Sequence, residues 1–474
     1  MTEKILGPFL ALDDVRDGQM HLAASFVAPQ GRAVPPVLVA GRVHAAGPLA
    51  QIGAWALCRA RFCLPLEAGG VYDWAGTSFS VAGGLHADMR IGFVSCNGEE
   101  HFDLKRDPQE RNAMWVRLGA AHRARPFSLL LHGGDQIYVD EATQGHPLSA
   151  GWPGVLPQDP SREQLAGLRD HLRAAFLKRY AAMWADPAYG WLCARVPSLA
   201  EWDDHDICDG WGSLPRAASY SPVGQVLFEV AREMTLLCQH GAVAGDLPRK
   251  VEDRAGGHQG WQIDVPGVRL VAPDLRGERT RREVMGQGGW RMMEALAARP
   301  APARTLLISS VPLLGPRLSV IEAIMVLIPK MQEYEDDLRD QWQSRAHRGS
   351  WRRMLKLVCQ MMRRQNTAVT VLSGELHLAT RATMDAGGGR ILHQLVSSGV
   401  AHRPPPRLYA RVLGALSVLG ESPLPGQRIT TRPIPGQRTR YVPERNVLVL
   451  SRIGTRWQAV WEFENSGLSD PLPI

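Results

Sequence analysis

The stretch LLLHGGDQIYVD at residues 129–140 runs from three leucines through two glycines to an aspartate, Asp135. A short apolar run that stops on glycine is typical of a buried strand in a layered α/β sheet. Glycines at such a point let the backbone turn sharply and leave room beside it. Tyr138 follows closely, so oxygen-bearing side chains gather just beyond the apolar run. The stretch therefore predicts a buried strand with a functional site at its carboxyl end.

Three other apolar runs end in the same way. MRIGFVSCN ends on Cys96 and Asn97, VPSLAEWDDHD ends on residues 203–206, and VTVLSGELH ends on Glu375 and His377. Ligands of open α/β sheets bind outside the carboxyl ends of the strands. If these strands share one sheet, thiol, carboxylate, phenol and imidazole groups converge at one edge. Such a donor set is typical of a metal site.

Each of these residues also has an ordinary structural explanation when it is considered alone. A cysteine such as Cys96 is often an inert buried thiol, and His377 can be a hydrogen-bonded core histidine. Asp135 after two glycines can be a turn or helix-cap residue. The recurrence of the same residue types at every strand end favours a shared chemical role, because random placement would scatter them.

Composition narrows the class of protein. The chain has 474 residues, 45% of them hydrophobic and 21% charged, which predicts a globular protein of two domains or one large domain with an appendage. The net charge of +7 is spread along the chain, which suits a small anionic substrate and does not indicate nucleic-acid binding. Seven irregularly spaced cysteines favour reduced thiols, so we expect a cytoplasmic protein.

Membrane insertion is not expected from the sequence. The first residues lack a basic region followed by a long apolar run, so we predict no signal peptide. The apolar run at 320–328 is too short to span a bilayer. The basic helix predicted at 351–364 places its apolar residues on one face, as a helix packed on a sheet would. Association of these two segments with a membrane surface is the weaker alternative.

The pattern of apolar and turn-forming residues divides the chain into two parts. Residues 1–87 read as short strands broken by turns, which predicts a small N-terminal β-sandwich domain. Residues 88–474 alternate strands with helices, which predicts an α/β catalytic domain. The charged segment 335–350 and the Pro- and Arg-rich segment 403–438 interrupt this pattern. We expect the second to be a long irregular loop, and both to border the site.

Taken together, the motifs resemble a known family. SCN, GGDQIYVDE, EWDDHDICDGWGS, APDLRGERT and LSGELHLATRA are similar, in the same order, to motifs of the PhoD-like alkaline phosphatases of the metallophosphoesterase superfamily. The resemblance covers roughly residues 88–460. It implies a four-layer α/β/β/α sandwich preceded by a small β-sandwich domain, and hydrolysis of phosphomonoesters or phosphodiesters. Secreted members of the family carry iron with calcium.

The resemblance also implies roles for individual residues. Cys96, Tyr138 and His377 would bind a ferric ion, and Asp135 would bridge that ion to a second metal. His205 would lie near the leaving group of the substrate. Asp140 aligns with no ligand of the family, and we expect it at the rim of the site.

The second metal ion is predicted at a different set of residues. Asp204 takes the place of a metal-binding asparagine of the superfamily, and Asn97 is a weaker candidate partner. The family usually has aspartate where this chain has Glu375, which leaves the identity of the second ion open. Iron with calcium is the pair that the resemblance implies, and manganese, zinc or magnesium are the alternatives for a cytoplasmic enzyme.

The mechanism that this site predicts is attack of a metal-bound hydroxide on phosphorus, in line with the leaving group. His205 would protonate the leaving alkoxide. Arg276 and Arg279 would hold the phosphate through bidentate contacts, and a surface salt-bridge pair is their alternative. A catalytically weak metal- or phosphate-binding protein on the same fold is the alternative function, which Glu375 favours. The pattern suits monoesters and diesters alike and sets no oligomeric state.

Overall fold

The computed structural model describes residues 4–315 and 340–474. Within these residues the chain forms sheets of 11, nine and four strands. The strands of the N-terminal region are β1 (Leu6–Arg16), β2 (Gln19–Pro29), β3 (Val37–Val39), β4 (Arg42–His44), β5 (Gly47–Ile52), β6 (Trp55–Pro65), β7 (Gly69–Trp74) and β8 (Thr77–Ala82). The strands of the central region are β9 (Arg90–Val94), β10 (Leu129–Gly133), β11 (Ser198–Glu201), β12 (Trp261–Val265), β13 (Val268–Ala272), β14 (Arg304–Ile308), β15 (Ala368–Ser373), β16 (Ala379–Asp385) and β17 (Ile391–Val396). The remaining strands are β18 (Glu421–Leu424), β19 (Gln427–Arg432), β20 (Tyr441–Val442), β21 (Asn446–Ile453), β22 (Arg456–Phe463), β23 (Gly467–Leu468) and β24 (Leu472–Pro473).

The helices of the described residues lie mainly between the parallel strands. They are α1 (Pro108–Arg111), α2 (Ala113–Ala124), α3 (Arg162–Trp184), α4 (Pro187–Cys193), α5 (Arg216–Ser219), α6 (Pro222–Gln239), α7 (Gln287–Ala298), α8 (Arg348–Arg364) and α9 (Arg407–Leu416). Several begin with a side-chain cap. Ser161 caps α3 through a capping box with Gln164, and Ser221 caps α6, where Pro222 occupies the first turn.

The first large sheet has the strand order β23-β22-β21-β9-β10-β11-β1-β2-β6-β5. Its central strands β9, β10, β11 and β1 run parallel. Strand β10 is buried along its whole length, with Leu131 opposite Phe93 on one side and Leu199 on the other. The three leucines at 129–131 therefore form a buried central strand, as predicted.

The second large sheet has the order β12-β13-β14-β15-β17-β16-β19-β18. Its central strands β13, β14, β15 and β17 are also parallel. Apolar side chains from both sheets fill one shared core, in which Phe93 and Leu131 of the first sheet join Leu306 and Leu372 of the second. The two sheets therefore pack face to face.

Helices cover the outer face of each large sheet. One outer core joins the first sheet to α2, α3, α4 and α6, and the other joins the second sheet to α7 and α8. The predicted apolar face of α8 is confirmed, since its buried residues include Trp351, Met354, Leu355, Val358 and Met362. The layers are helix, sheet, sheet and helix, which confirms the predicted four-layer α/β/β/α fold.

The N-terminal strands do not stand apart from this architecture. Strand β1 pairs in parallel with β11, with Ala11 opposite Ser198, and β2, β6 and β5 continue the same sheet. Strands β4, β3, β7 and β8 form the separate four-stranded sheet. The Tyr72 hydroxyl of β7 donates to the Ala194 carbonyl at 2.6 Å. The domain boundary after residue 87 stays a prediction, and it does not coincide with a break between sheets.

The predictions for three further segments, 320–328, 335–350 and 403–438, have different outcomes. The prediction of a long irregular loop at 403–438 is wrong, because α9, β18 and β19 lie in this segment and β19 pairs with β16. The apolar run at 320–328 lies outside the described residues, as does 335–339 of the charged segment. Residues 340–344 are buried beside the site. Over residues 4–315 and 340–474, no helix combines the length and apolar character needed to cross a bilayer.

Candidate metal centre and active site

The predicted site residues come from loops at the carboxyl ends of strands in both large sheets. Strands β9, β10 and β11 lie in the first sheet, and β15 lies in the second. The four strands therefore do not share one sheet. The strand ends still meet, because the two sheets pack face to face: the Ser310 hydroxyl after β14 donates to an Asp203 carboxylate oxygen after β11 at 2.7 Å.

Backbone strain concentrates at this junction. Among the described residues, ten that are not glycine have positive φ, and four of these are predicted ligands: Cys96 (53°), Asp135 (52°), Glu375 (68°) and His377 (51°). Such conformations are unfavourable for residues with a Cβ and tend to cluster at functional sites. Gly134 has φ of 100°, and a Cβ there would lie 2.7 Å from that of Asp203. The loops are therefore held in conformations that the site requires.

Four of the predicted ligands form one group, in which Cys96, Asp135 and Tyr138 are buried and His377 is partly buried. The Cys96 Sγ and the Tyr138 hydroxyl each lie 3.4 Å from Asp135 Oδ2, and the Tyr138 hydroxyl lies 3.3 Å from His377 Nε2. Ser398 fixes the edge of the group, because its Oγ lies 3.1 Å from Cys96 Sγ and accepts the His377 backbone N–H at 2.8 Å. The other oxygen of Asp135 is buried without a hydrogen-bond partner.

The chemistry of this group fits a cation. Burial raises the pKa values of the Cys96 thiol, the Asp135 carboxyl and the Tyr138 phenol well above their usual ranges. Ionising these three buried acidic groups is costly unless a positive charge lies among them, and one Asp135 oxygen has no hydrogen-bond partner to offset that cost. Thiolate, phenolate, carboxylate and imidazole together suit a transition-metal ion better than calcium or magnesium alone. The four residues therefore fit the first predicted metal ion.

The residues predicted for a second ion face an arginine. Arg276 Nη2 lies 3.2 Å from Asp204 Oδ1 and 3.6 Å from Glu375 Oε1. The same guanidinium group forms ion pairs with Asp203 and Asp340. The Arg276 side chain is 0% exposed, so Arg276 is not part of a surface salt bridge. In this arrangement its guanidinium group is also not accessible to a phosphate.

The side chains of Arg279 and Asn97 also have partners outside the four-residue group. Arg279 is buried, and its guanidinium forms an ion pair with Asp340 at 3.3 Å. The Asn97 carboxamide is engaged elsewhere: its Oδ1 accepts the Trp115 indole N–H at 2.7 Å, and its Nδ2 donates to the Gln136 carbonyl at 3.2 Å. The structure therefore does not bring Asn97 in among the candidate ligands, because its hydrogen bonds tie helix α2 to the loop after β10.

His205 forms a dyad with a residue that sequence analysis placed at the rim. The two Asp140 carboxylate oxygens lie 3.0 and 3.1 Å from His205 Nδ1, and the Asp209 backbone N–H donates to Asp140 Oδ1 at 2.6 Å. Burial lowers the pKa of His205, but the Asp140 and Asp204 carboxylates outweigh it, so that the pKa lies well above its usual value. The rim prediction for Asp140 is wrong, because a short 3-10 turn aims its carboxylate inward.

Two further residues on the open side were not identified from the sequence. His402 stacks on His377 with ring centroids 3.4 Å apart, and its Nε2 lies 3.1 Å from Glu100 Oε1. The same Glu100 oxygen lies 3.9 Å from His205 Nε2. Glu100 follows Cys96 by four residues, and this spacing is the only sequence feature that could have placed Glu100 near the site. Glu100 and His402 connect the candidate metal group to His205.

Comparison with known proteins agrees with this architecture. The fold is similar to a solved structure of PhoD, with a TM-score of 0.58 and 10% identity over 99% of this chain and 91% of that one. It is also similar to purple acid phosphatase PPD1 from yellow lupin (Lupinus luteus) seeds, with a TM-score of 0.55 and 11% identity over 100% and 74% of the two chains. At these identities the likeness concerns the fold, which is of the metallophosphoesterase type.

Family comparison identifies the group to which the chain belongs. Residues 78–334 match the family described as PhoD related phosphatase, which is more than half of the chain. The protein belongs to this family of PhoD-related phosphatases. It is also 24% identical over 357 residues to the uncharacterized protein YGR266W of Saccharomyces cerevisiae. That match covers 60% of this chain and 49% of the yeast protein, so the matched part is about half the length of that relative.

Proposed function

We propose that this phosphatase hydrolyses small anionic phosphoric esters, both monoesters and diesters, at a metal centre held by Cys96, Asp135, Tyr138 and His377. The observation that carries the proposal is the convergence of these four side chains from strand ends of two sheets: Cys96 and Tyr138 face one Asp135 oxygen, and the other Asp135 oxygen is buried without a partner. Membership of the phosphatase family supports the same reaction class.

The metal supplies only part of the proposed chemistry. When bound, a metal ion would polarise a phosphoryl oxygen and lower the pKa of a bound water toward about 7. The remaining steps depend on the protein's own residues. Asp140 holds the Nδ1 side of His205, which leaves Nε2 for the open side of the site, where Glu100 lies. From Nε2, His205 donates a proton to the leaving oxygen of the ester.

Tyr138 supports this arrangement from both sides. Its ring stacks on the His205 ring at 4.3 Å between centroids, and its hydroxyl faces Asp135 and His377. The proton donor and the candidate metal ligands are thus fixed to one another through a single buried side chain. Such mutual fixation favours phosphoryl transfer, in which positioning and charge neutralisation contribute most of the catalysis.

The proposal is tested by a matched pair of variants. Asp135→Asn removes the central carboxylate, whereas Asp170→Asn makes the same change at an exposed position of α3. We expect Asp135→Asn to lower hydrolysis of p-nitrophenyl phosphate and bis(p-nitrophenyl) phosphate by at least about a hundredfold, with reduced metal content. Asp170→Asn should match the wild type in both measurements.

The same assay separates the proposal from the alternative function. A catalytically weak binding protein would retain metal in the wild type and hydrolyse neither ester with any of iron, manganese, zinc or calcium. Wild-type hydrolysis that persists in Asp135→Asn at full metal content would mean that the reaction takes place elsewhere in the protein.

A further inference from the structure

A buried charge cluster lies beside the candidate metal group, with the Arg276 guanidinium at its centre. Four carboxylates face this group: Asp203, Asp204, Asp340 and Glu375. The Arg276 Nη2 atom is buried and makes no hydrogen bond of good geometry, although Asp204 and Glu375 lie 3.2 and 3.6 Å away. These two carboxylates are the ones that the sequence predicted to hold a second metal ion.

Arg276 is fixed in this place from several directions. Its Nη1 donates to the Trp211 carbonyl at 3.1 Å, and its backbone N–H donates to Asp274 Oδ1 at 2.9 Å. Asp274 is itself held by the Trp202 indole N–H at 2.8 Å. The Arg276 side chain is 0% exposed, so protein encloses the guanidinium. A positive charge therefore lies beside the two carboxylates.

The oxygens of Asp204 and Glu375 are already committed to protein donors. Asp204 Oδ2 accepts the Gly210 backbone N–H at 3.0 Å, and Asp204 Oδ1 faces Arg276. Glu375 Oε2 accepts the Gln341 side-chain N–H at 2.8 Å, and Glu375 Oε1 faces Arg276. A metal ion on these oxygens would sit close to the guanidinium, and like charges at that separation repel.

A second possible ligand set around Asp204 has the same difficulty. Asp135, Asp204 and His205 bring one ligand atom each within 4.8 Å of one another. Asp140 holds His205 Nδ1, however, which leaves only Nε2 for an ion, and both Asp204 oxygens already face protein donors, Arg276 and the Gly210 backbone N–H. Asp204 therefore offers an ion no oxygen that lacks a protein donor, whereas Asp135, which belongs to both sets, has one buried oxygen without a partner.

We propose that Arg276 supplies the second positive charge of this site, so that the protein binds one metal ion per chain and not two. The inference rests on the proposed function, because it assumes the metal centre at Cys96, Asp135, Tyr138 and His377. In this site a guanidinium fixed by the fold takes the position of a second cation beside Asp204 and Glu375, while it also pairs with Asp203 and Asp340. The metal requirement is reduced to the one ion that the four-residue group holds.

Metal stoichiometry tests the inference without reference to activity. The purified full chain is equilibrated with excess iron, manganese, zinc and calcium, dialysed, and analysed by mass spectrometry of its metals. We expect one ion per chain in the wild type, one in Asp204→Asn, and a strong loss in Asp135→Asn. Anomalous diffraction should show one peak beside Cys96 and His377, with none between Asp204 and Glu375.

The other outcomes separate the two proposals. Two ions in the wild type, one of them lost in Asp204→Asn, would overturn the inference and leave the proposed function intact. A single ion that Asp204→Asn removes would also overturn it. No bound ion in the wild type would overturn the proposed function itself. Arg276→Met, if it folds, should bind a second ion, whereas Arg276→Lys should keep one. Should neither variant fold, the wild type and Asp204→Asn still decide the question.

Discussion

Replacing Asp140 with asparagine removes the carboxylate that holds the His205 ring while keeping the side chain's shape. Both carboxylate oxygens lie within 3.1 Å of His205 Nδ1, and the two side chains are 7% and 10% exposed. Solvent therefore screens the pair only weakly. In Asp140→Asn, the carboxamide oxygen can still accept the Asp209 N–H, which turns the amide nitrogen toward the imidazole. The charged form of His205 then loses its main counter-charge.

The size of the effect follows from the role of His205 as a proton donor. General acid catalysis contributes about 10²–10⁴-fold, which corresponds to roughly 3–5 kcal/mol on the barrier. Asp140 does not itself transfer a proton, so most but not all of this contribution depends on it. We expect Asp140→Asn to lower kcat/KM for esters with alkyl leaving groups by about 10²–10³-fold.

The assay uses a series of phosphate esters that differ only in the leaving group. An alkoxide needs a proton to depart, whereas p-nitrophenolate departs readily as an anion. The loss in Asp140→Asn should therefore be large for alkyl esters and less than about tenfold for p-nitrophenyl phosphate. Glu141→Gln is the matched control, since its carboxylate lies next in the chain and accepts the Phe102 N–H at 3.3 Å without contacting His205. An equal loss for every leaving group would refute the general-acid role.

Three further predictions concern the ligand set, the backbone and pH. Cys96→Ser should lower metal content and remove any visible charge-transfer absorption, and an unchanged spectrum at full loading would exclude Cys96 as a ligand. Gly134→Ala should lower the free energy of unfolding by about 1–3 kcal/mol or more, measured by urea denaturation, because φ is 100° and the Cβ would lie 2.7 Å from that of Asp203. Burial lowers the pKa of His122 to about 4, so the folded chain binds fewer protons than the unfolded chain below pH 6.5. That contribution to stability is complete above pH 6.5 and is lost as pH falls through about 4, and His122→Gln should reduce the slope of unfolding free energy over this window by up to about 1.4 kcal/mol per pH unit. The same slope in both proteins would contradict the assignment to His122.

Local patterns were enough to predict much of the fold. Apolar runs that end on glycine, and helical spacing on α8, depend only on neighbouring residues, and both are present in the structure. The layer order follows from strand and helix alternation. The pairing of β1 with β11 was not predicted, because it joins Ala11 to Ser198 and no local pattern records a contact across that much of the chain.

In the candidate site, too, local patterns could be predicted from the sequence and long-range contacts could not. Residues at strand ends could be grouped because parallel strands present their carboxyl ends together, even though the strands belong to two sheets. The hydrogen-bond and ion-pair partners of these residues could not be predicted from the sequence. Asp340 lies in a charged segment that resembles a solvated surface, yet the fold buries it against Arg276. The direction of the Asp140 carboxylate depends on a four-residue turn, Asp140–Thr143, which residue types alone do not specify.

The pairing of β9 with both β10 and β21 has a consequence for biosynthesis. β9 carries Cys96 at its end, and one of its edges is closed only by β21, which ends at Ile453. A ribosome must therefore make most of the chain before that edge has a partner, and such non-local sheets form slowly. Until then the nascent protein exposes an apolar strand edge, which is a site for aggregation or chaperone binding. Premature termination before residue 446 would leave that edge open beside the candidate metal ligands, so truncated products should be cleared and not accumulate as partly active enzyme.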